Sequence, residues 1–157
     1  MSLEDQVQQL ATPIANELSI EILNVVMDGG SRSRLVKVIV DRRGGVSSDE
    51  LVRISRGLSL QMDVEDVVVG KYHLEVTTPG FDWHLQNQAD FDRYLGDWLK
   101  IVQENPPAIE GENLGLDGDA FSVRDEKGVV HRFGVKDVVK VTRAINWKAI
   151  SKAQKKK

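Results

Sequence analysis

Two aliphatic runs, Ile20 to Met27 and Leu35 to Val40, stand on either side of Asp28-Gly29-Gly30-Ser31. Runs this rich in valine and isoleucine, split by a Gly-Gly turn, predict a β-hairpin. Two helix starts bracket it. Ser2 with Asp5, and Ser47 with Glu50, have the spacing of a capping box, in which the serine caps a backbone N–H and the acid reaches back. Behind them, Leu3, Val7, Leu10, Ala11, Ile14 and Leu18 recur at helical spacing, as do Leu51, Ile54, Leu58 and Met62. Pro13 should end or kink the first helix, unless Thr12-Pro13 marks a later start. Tyr72 to Val76 reads as a third strand. Pro79-Gly80 then fits the central positions of a type II turn, with glycine accepting a positive φ. The order α-β-β-α-β predicts a three-stranded sheet with two helices packed on it.

The pattern changes after residue 82. A short helical patch, Gln88 to Leu95, is followed by five strand candidates: Trp98–Gln103, Ile109–Gly115, Ala120–Arg124, Val129–Phe133 and Val138–Thr142. Asn105-Pro106-Pro107, Asp117-Gly118 and Lys127-Gly128 punctuate them. Short strands in such succession predict a small SH3-like or Sm-like β-barrel. The expected class is therefore α+β, with an N-terminal domain over 1–82, a barrel domain over 83–147 and a basic, disordered tail over 148–157.

Charge follows the same divisions. Residues 1–82 hold 8 Lys/Arg against 13 Asp/Glu, and residues 83–143 hold 8 against 11, while the last 14 residues hold five lysines and no acid. An acidic body does not grip a phosphate backbone along its whole surface, but it suits a basic protein. The lysine tail would add attraction to RNA without specificity. The absence of cysteine excludes disulfides, zinc–thiolate sites and thiol nucleophiles. No run approaches the 18 or so apolar residues of a membrane span, and the first nine residues lack the regions of a signal peptide, so a cytoplasmic protein without membrane attachment is expected.

Nothing in the chain asks for catalysis. His73, His84 and His131 are scattered, without a partner at metal-ligand spacing. Asp63-x-Glu65-Asp66 lacks the glycine and distal glutamate of a calcium loop. Gly111-x-x-x-Gly115 has no Lys-Ser/Thr after it, and no nucleophile elbow occurs. The expectation is a binding protein, with no enzyme activity, cofactor or metal. Arg32, Arg34, Arg42 and Arg43 lie in or beside the turns flanking the second strand, where guanidinium groups could meet phosphates bidentately. Trp98 and Trp147 are expected to pack in the barrel core, with a stacking platform for bases as the sharper alternative.

The most specific segment is Tyr72-His73-Leu74-Glu75-Val76-Thr77-Thr78-Pro79-Gly80-Phe81-Asp82. It resembles the Leu-Glu-Val-Ser-Ser-Pro-Gly-Leu-Asp signature of the RimP ribosome maturation factors. Asp41, Gly45-Val46, Met62-Asp63, Phe91-x-x-Tyr94-Leu95-Gly96, Leu116-Asp117-Gly118-Asp119 and Arg143-Ala144 also fall where that family has similar residues, so the resemblance covers roughly residues 3–147. Trp83-His84 stands where the family usually has Arg-Pro, and the loop around Asn105–Ile109 is short and lacks the basic residues common there. The resemblance implies an α/β domain, a small barrel and non-catalytic binding to the free small (30S) ribosomal subunit during late maturation. With the charge pattern, the acidic body and the basic turns and tail, the expected partners are a basic ribosomal protein and rRNA, met by a monomer. Together with the residue reading, it marks Arg32, Arg34, Arg42, Arg43, Thr77, Thr78, Pro79, Gly80, Asp82, Lys152, Lys155, Lys156 and Lys157 as the candidate contact set. The alternative is an Sm-like regulator acting on other RNAs.

Overall fold

The computed structural model describes residues 2–29 and 33–146. The chain folds as two compact units that divide between Pro79 and Gly80. In the first, α1 (Leu3–Glu17) and α2 (Ser48–Glu65) begin on Ser2 and Ser47, and both capping boxes form as the spacing predicts. The strands are β1 (Glu21–Asp28), β2 (Arg34–Asp41) and β3 (Tyr72–Thr77), in sheet order β1-β2-β3. The hairpin β1–β2 is antiparallel, while β2 and β3 are parallel and joined through α2, since parallel neighbours need a crossover.

Val7, Ala11 and Ala15 of α1, and Ile54, Leu58 and Met62 of α2, bury against Val36, Val38 and Val40 of the central strand. A register shift between Ile22 and Asn24 lets both Ile22 and Val25 reach this core, which strict alternation would forbid.

Pro13 neither ends α1 nor delays its start. The helix runs through it, because its buried face continues from Ala11 to Ala15 while Pro13 itself is exposed. The ring still denies the Gln9 carbonyl an N–H donor. Pro13→Ala is therefore expected to stabilise the first unit by about 1–2 kcal/mol, the helix gain less the entropy that proline removes from the unfolded chain. Urea denaturation of the two proteins reads this directly, and an unchanged midpoint would show that the helix has fully absorbed the ring.

The second unit opens with α3 (Gln88–Arg93), capped by Asn87, and continues as β4 (Trp98–Val102), β5 (Ile109–Asp117), β6 (Ala120–Arg124), β7 (Val130–Gly134) and β8 (Lys140–Arg143). The five-stranded sheet is antiparallel throughout, in order β7-β6-β5-β4-β8. Strand number and direction are those expected of a small barrel, but β7 and β8 form no closing pair among the described residues, so the sheet is open. Phe91 and Tyr94, on and just after α3, pack with Leu99, Ile101, Phe121, Val123 and Val141 from the strands. Asp90 and Arg93 form a buried ion pair at 2.9 Å within the same short helix. The chain is thus α+β. Among the described residues, no helix is long and apolar enough to cross a membrane.

Candidate functional site

The arginine turn between β2 and α2 is held shut by its own chemistry. Arg42 Nη1 and Nη2 donate to the two Glu50 carboxylate oxygens, each at 2.7 Å. Nη1 also donates to the Leu18 carbonyl at 2.8 Å, and Nε to the Gly45 carbonyl at 3.1 Å. Gly44 and Gly45, at φ +91° and +97°, supply the left-handed backbone that lets the turn close so tightly. Arg42, expected as a phosphate contact, is therefore the lock of the loop, its fork already matched by a carboxylate. Arg43 beside it is exposed, and Arg34 is half-buried at the start of β2. Arg32 lies outside the described residues, as do Lys152, Lys155, Lys156, Lys157 and Trp147.

The guanidinium of Arg42, then the Ser47 backbone N–H, hold the Glu50 carboxyl down at about 2 from its ordinary 4.5. A carboxyl depressed in the folded state adds stability above its unfolded pKa and loses it as pH falls through its folded pKa. This contribution should be complete at neutral pH, fade from 4.5 towards 2 and vanish below. Glu50→Gln should accordingly be the less stable protein at pH 7, with the gap to the parent closing across that window. Thermal melts at a series of pH values check this, and a constant gap would show that the ion pair does not set it.

The signature segment leaves the sheet at Thr77, which pairs with Ile39. The Thr77 hydroxyl donates to the neighbouring Thr78 carbonyl at 3.3 Å, Thr78 is half-buried and Pro79 is buried. The turn that follows differs from the expected one. Gly80 does not have a positive φ, and its carbonyl accepts from Trp83 N at 3.2 Å, so Phe81 and Asp82 occupy the centre instead. A Cβ on Gly80 would meet only the Asp82 carboxylate, 2.8 Å away at the end of a mobile side chain. Asp82 itself is exposed.

Sequence reasoning assigns Arg143 no role in this turn. Its guanidinium carbon lies 4.3 Å from the Tyr94 ring centre and 5.0 Å from that of Phe81, and Nη2 approaches the Gly80 carbonyl at 3.5 Å. Cation–π stacking thus ties the exposed Phe81 to β8. The only signal in the sequence is that Arg143 and Phe81 both fall in family-like positions, 62 residues apart.

The histidines do not converge. His73 is exposed, His84 sits 3.3 Å from Gln86, and His131 Nε2 lies 2.8 Å from Asp125 Oδ2. That bond is the main cause holding the Asp125 carboxyl below its usual range. Among the described residues no group of three His, Asp or Glu could hold a metal. Asp63, from the acidic run, instead accepts from the Tyr72 hydroxyl at 2.9 Å. Trp98 is not in the core: it is half-buried, and its Nε1 donates to Glu110 Oε1 at 3.1 Å, because it alternates with the inward Leu99 and Ile101.

Residues 10–82 match the family model described as the RimP N-terminal domain. The match spans the α-β-β-α-β unit from within α1 to Asp82 and includes the arginine turn and the signature segment. RimP proteins are ribosome maturation factors and not enzymes. Residues 10–82 thus carry a RimP N-terminal domain, and through it the chain is similar to the RimP ribosome maturation factors.

Proposed function

We propose that this protein binds the free small ribosomal subunit and assists its late maturation without catalysis. The observation that carries this reading is the RimP N-terminal domain match over residues 10–82, which ends on the signature segment. Binding of this kind acts by favouring one conformation of an immature particle, and only a difference in affinity between conformations can shift that balance. Arg34 and the exposed Arg43 are the proposed phosphate contacts of the first unit, with Arg42 holding the loop that presents Arg43. Thr77, Thr78, Pro79, Gly80 and Asp82 form the proposed recognition segment. Lys152, Lys155, Lys156 and Lys157 add salt-sensitive attraction to rRNA. The acidic body suits a basic ribosomal protein.

Sedimentation of the tagged full chain in lysate tests the reading. The expected result is co-migration with free small subunits. Co-migration chiefly with joined ribosomes, or with no ribosomal particle, would overturn it. The double variant Thr77→Ala, Thr78→Ala sharpens the test. Because the Thr77 hydroxyl bonds only to the adjacent carbonyl among the described contacts, removing both hydroxyls should leave the melting temperature within a few degrees. Loss of subunit binding at preserved stability is the expected outcome, and normal binding would return the segment to scaffolding.

A further inference from the structure

The second unit contains a cavity of about 510 Å³ that plays no part in the contacts proposed above. Trp98 and Ile109 supply its apolar wall, and Glu110, Asp125, Glu126 and His131 its polar one. The indole is held by its edge, since the Nε1–H that reaches Glu110 lies in the ring plane. Such a bond leaves the ring face available for stacking. Two kinds of group stack well on tryptophan, a nucleobase and a guanidinium.

Charge decides between them. Among the described residues three carboxylates line the cavity against one lysine, Lys127, and the hydrogen bond to His131 holds the Asp125 carboxyl below its usual range. A base would bring its phosphate against those carboxylates. A guanidinium brings the opposite sign, a planar face for Trp98 and a fork of N–H donors for carboxylate oxygens.

We propose that the Trp98 cavity receives an arginine side chain of a basic polypeptide, stacked on the indole and donating to Glu110 and Glu126. This deepens the reading above by naming the chemistry of the protein partner, and it is tested apart from subunit binding.

The experiment uses the ¹⁵N-labelled full chain and follows the Trp98 indole N–H resonance by NMR. The probes are the blocked peptide acetyl-Gly-Arg-Gly-amide, its lysine counterpart and a single-stranded uridine oligonucleotide. The arginine peptide should shift the Trp98 signal saturably, the lysine peptide more weakly, and the oligonucleotide not at all. Glu110→Gln with Glu126→Gln should weaken the arginine peptide on the order of tenfold, the loss expected for a charge-assisted bond. Trp98→Phe, which keeps a ring with a weaker quadrupole but removes the indole reporter, is followed through the backbone amide signals of Ile109 and His131 and should weaken the arginine peptide less. No Trp98 shift at millimolar arginine peptide overturns the proposal, and so does a response to the oligonucleotide instead. Sedimentation is run separately. A chain that binds the peptide but no small subunit removes the functional reading and leaves the cavity assignment standing. A chain that binds subunits but not the peptide does the reverse.

Discussion

Asn113→Ala is expected to destabilise the second unit by about 2–4 kcal/mol, because one buried side chain bonds to three backbone groups. Asn113 is 1% exposed. Its Nδ2 donates to the Phe91 carbonyl at 2.9 Å and the Tyr94 carbonyl at 3.0 Å, and its Oδ1 accepts from Gly115 N at 2.9 Å. The two carbonyls belong to the C-terminal end of α3, where the last turn of any helix has lost its own partners. Asn113 is thus both a helix cap and the bolt that fixes α3 to the irregular point of β5, where the register shifts between Asn113 and Gly115. Alanine would take this partner from the buried Phe91 carbonyl and the half-buried Gly115 N–H, while the Tyr94 carbonyl would keep the Asp97 N–H at 3.0 Å. The loss at Phe91 is larger than the bond itself is worth. Asn113→Asp makes the sharper comparison. Its carboxylate faces two carbonyl oxygens with no hydrogen to offer, so it should be worse than alanine at pH 7 and recover in acid as it protonates. Urea unfolding followed by near-ultraviolet circular dichroism measures both. A change below about 1 kcal/mol for alanine would mean that water enters and replaces the amide.

Local rules make much of the first unit legible. Ser2 and Ser47 are readable as helix starts because a capping box spans only four residues, and the hairpin because its turn and strands are contiguous. What the sequence hides lies at longer range. Arg42 reads as a loop cation free to meet phosphate, since nothing local says that the same Glu50 that completes the Ser47 box also receives the arginine fork. Trp98 reads as core because tryptophan is large and apolar, yet its neighbours Leu99 and Ile101 take the inward positions and alternation turns it out. Pro13 matters less than its reputation as a breaker suggests, because an exposed proline costs a helix one bond and the buried stripe outweighs it. Gly80 falls one step ahead of the centre of its turn, since Pro-Gly permits a type II turn without requiring one. Arg143 and Asn113, which hold the second unit's entry turn and helix, carry no local signature at all. Of the candidate contact set, the segment from Thr77 to Asp82 is visible only through family likeness.

Phe121→Ala should remove about 3–5 kcal/mol from the second unit, the largest single effect expected in this chain. Phe121 is fully buried, and its ring centre lies 4.9 Å from that of Phe91 and 5.5 Å from that of Phe133. It therefore joins α3 to the middle and the edge of the sheet, and its loss removes two tilted aromatic contacts as well as leaving a cavity. The more informative question is how far the damage spreads. The first buried cluster runs from Val7 to Val68 and the second from Leu85 to Val141, with no residue in common. If the units fold separately, calorimetry of the full chain should resolve two transitions, of which Phe121→Ala lowers only one. Ile54→Ala, at the centre of the first cluster, should lower only the other. A single transition that moves with either variant would show that stability is shared across the whole chain. With the units independent, Phe121→Ala also becomes a clean functional probe. At a temperature where the second unit has melted, the first still presents Arg43 and Thr77 in their folded setting. Residual small-subunit binding then measures how much of the recognition the RimP N-terminal domain carries alone.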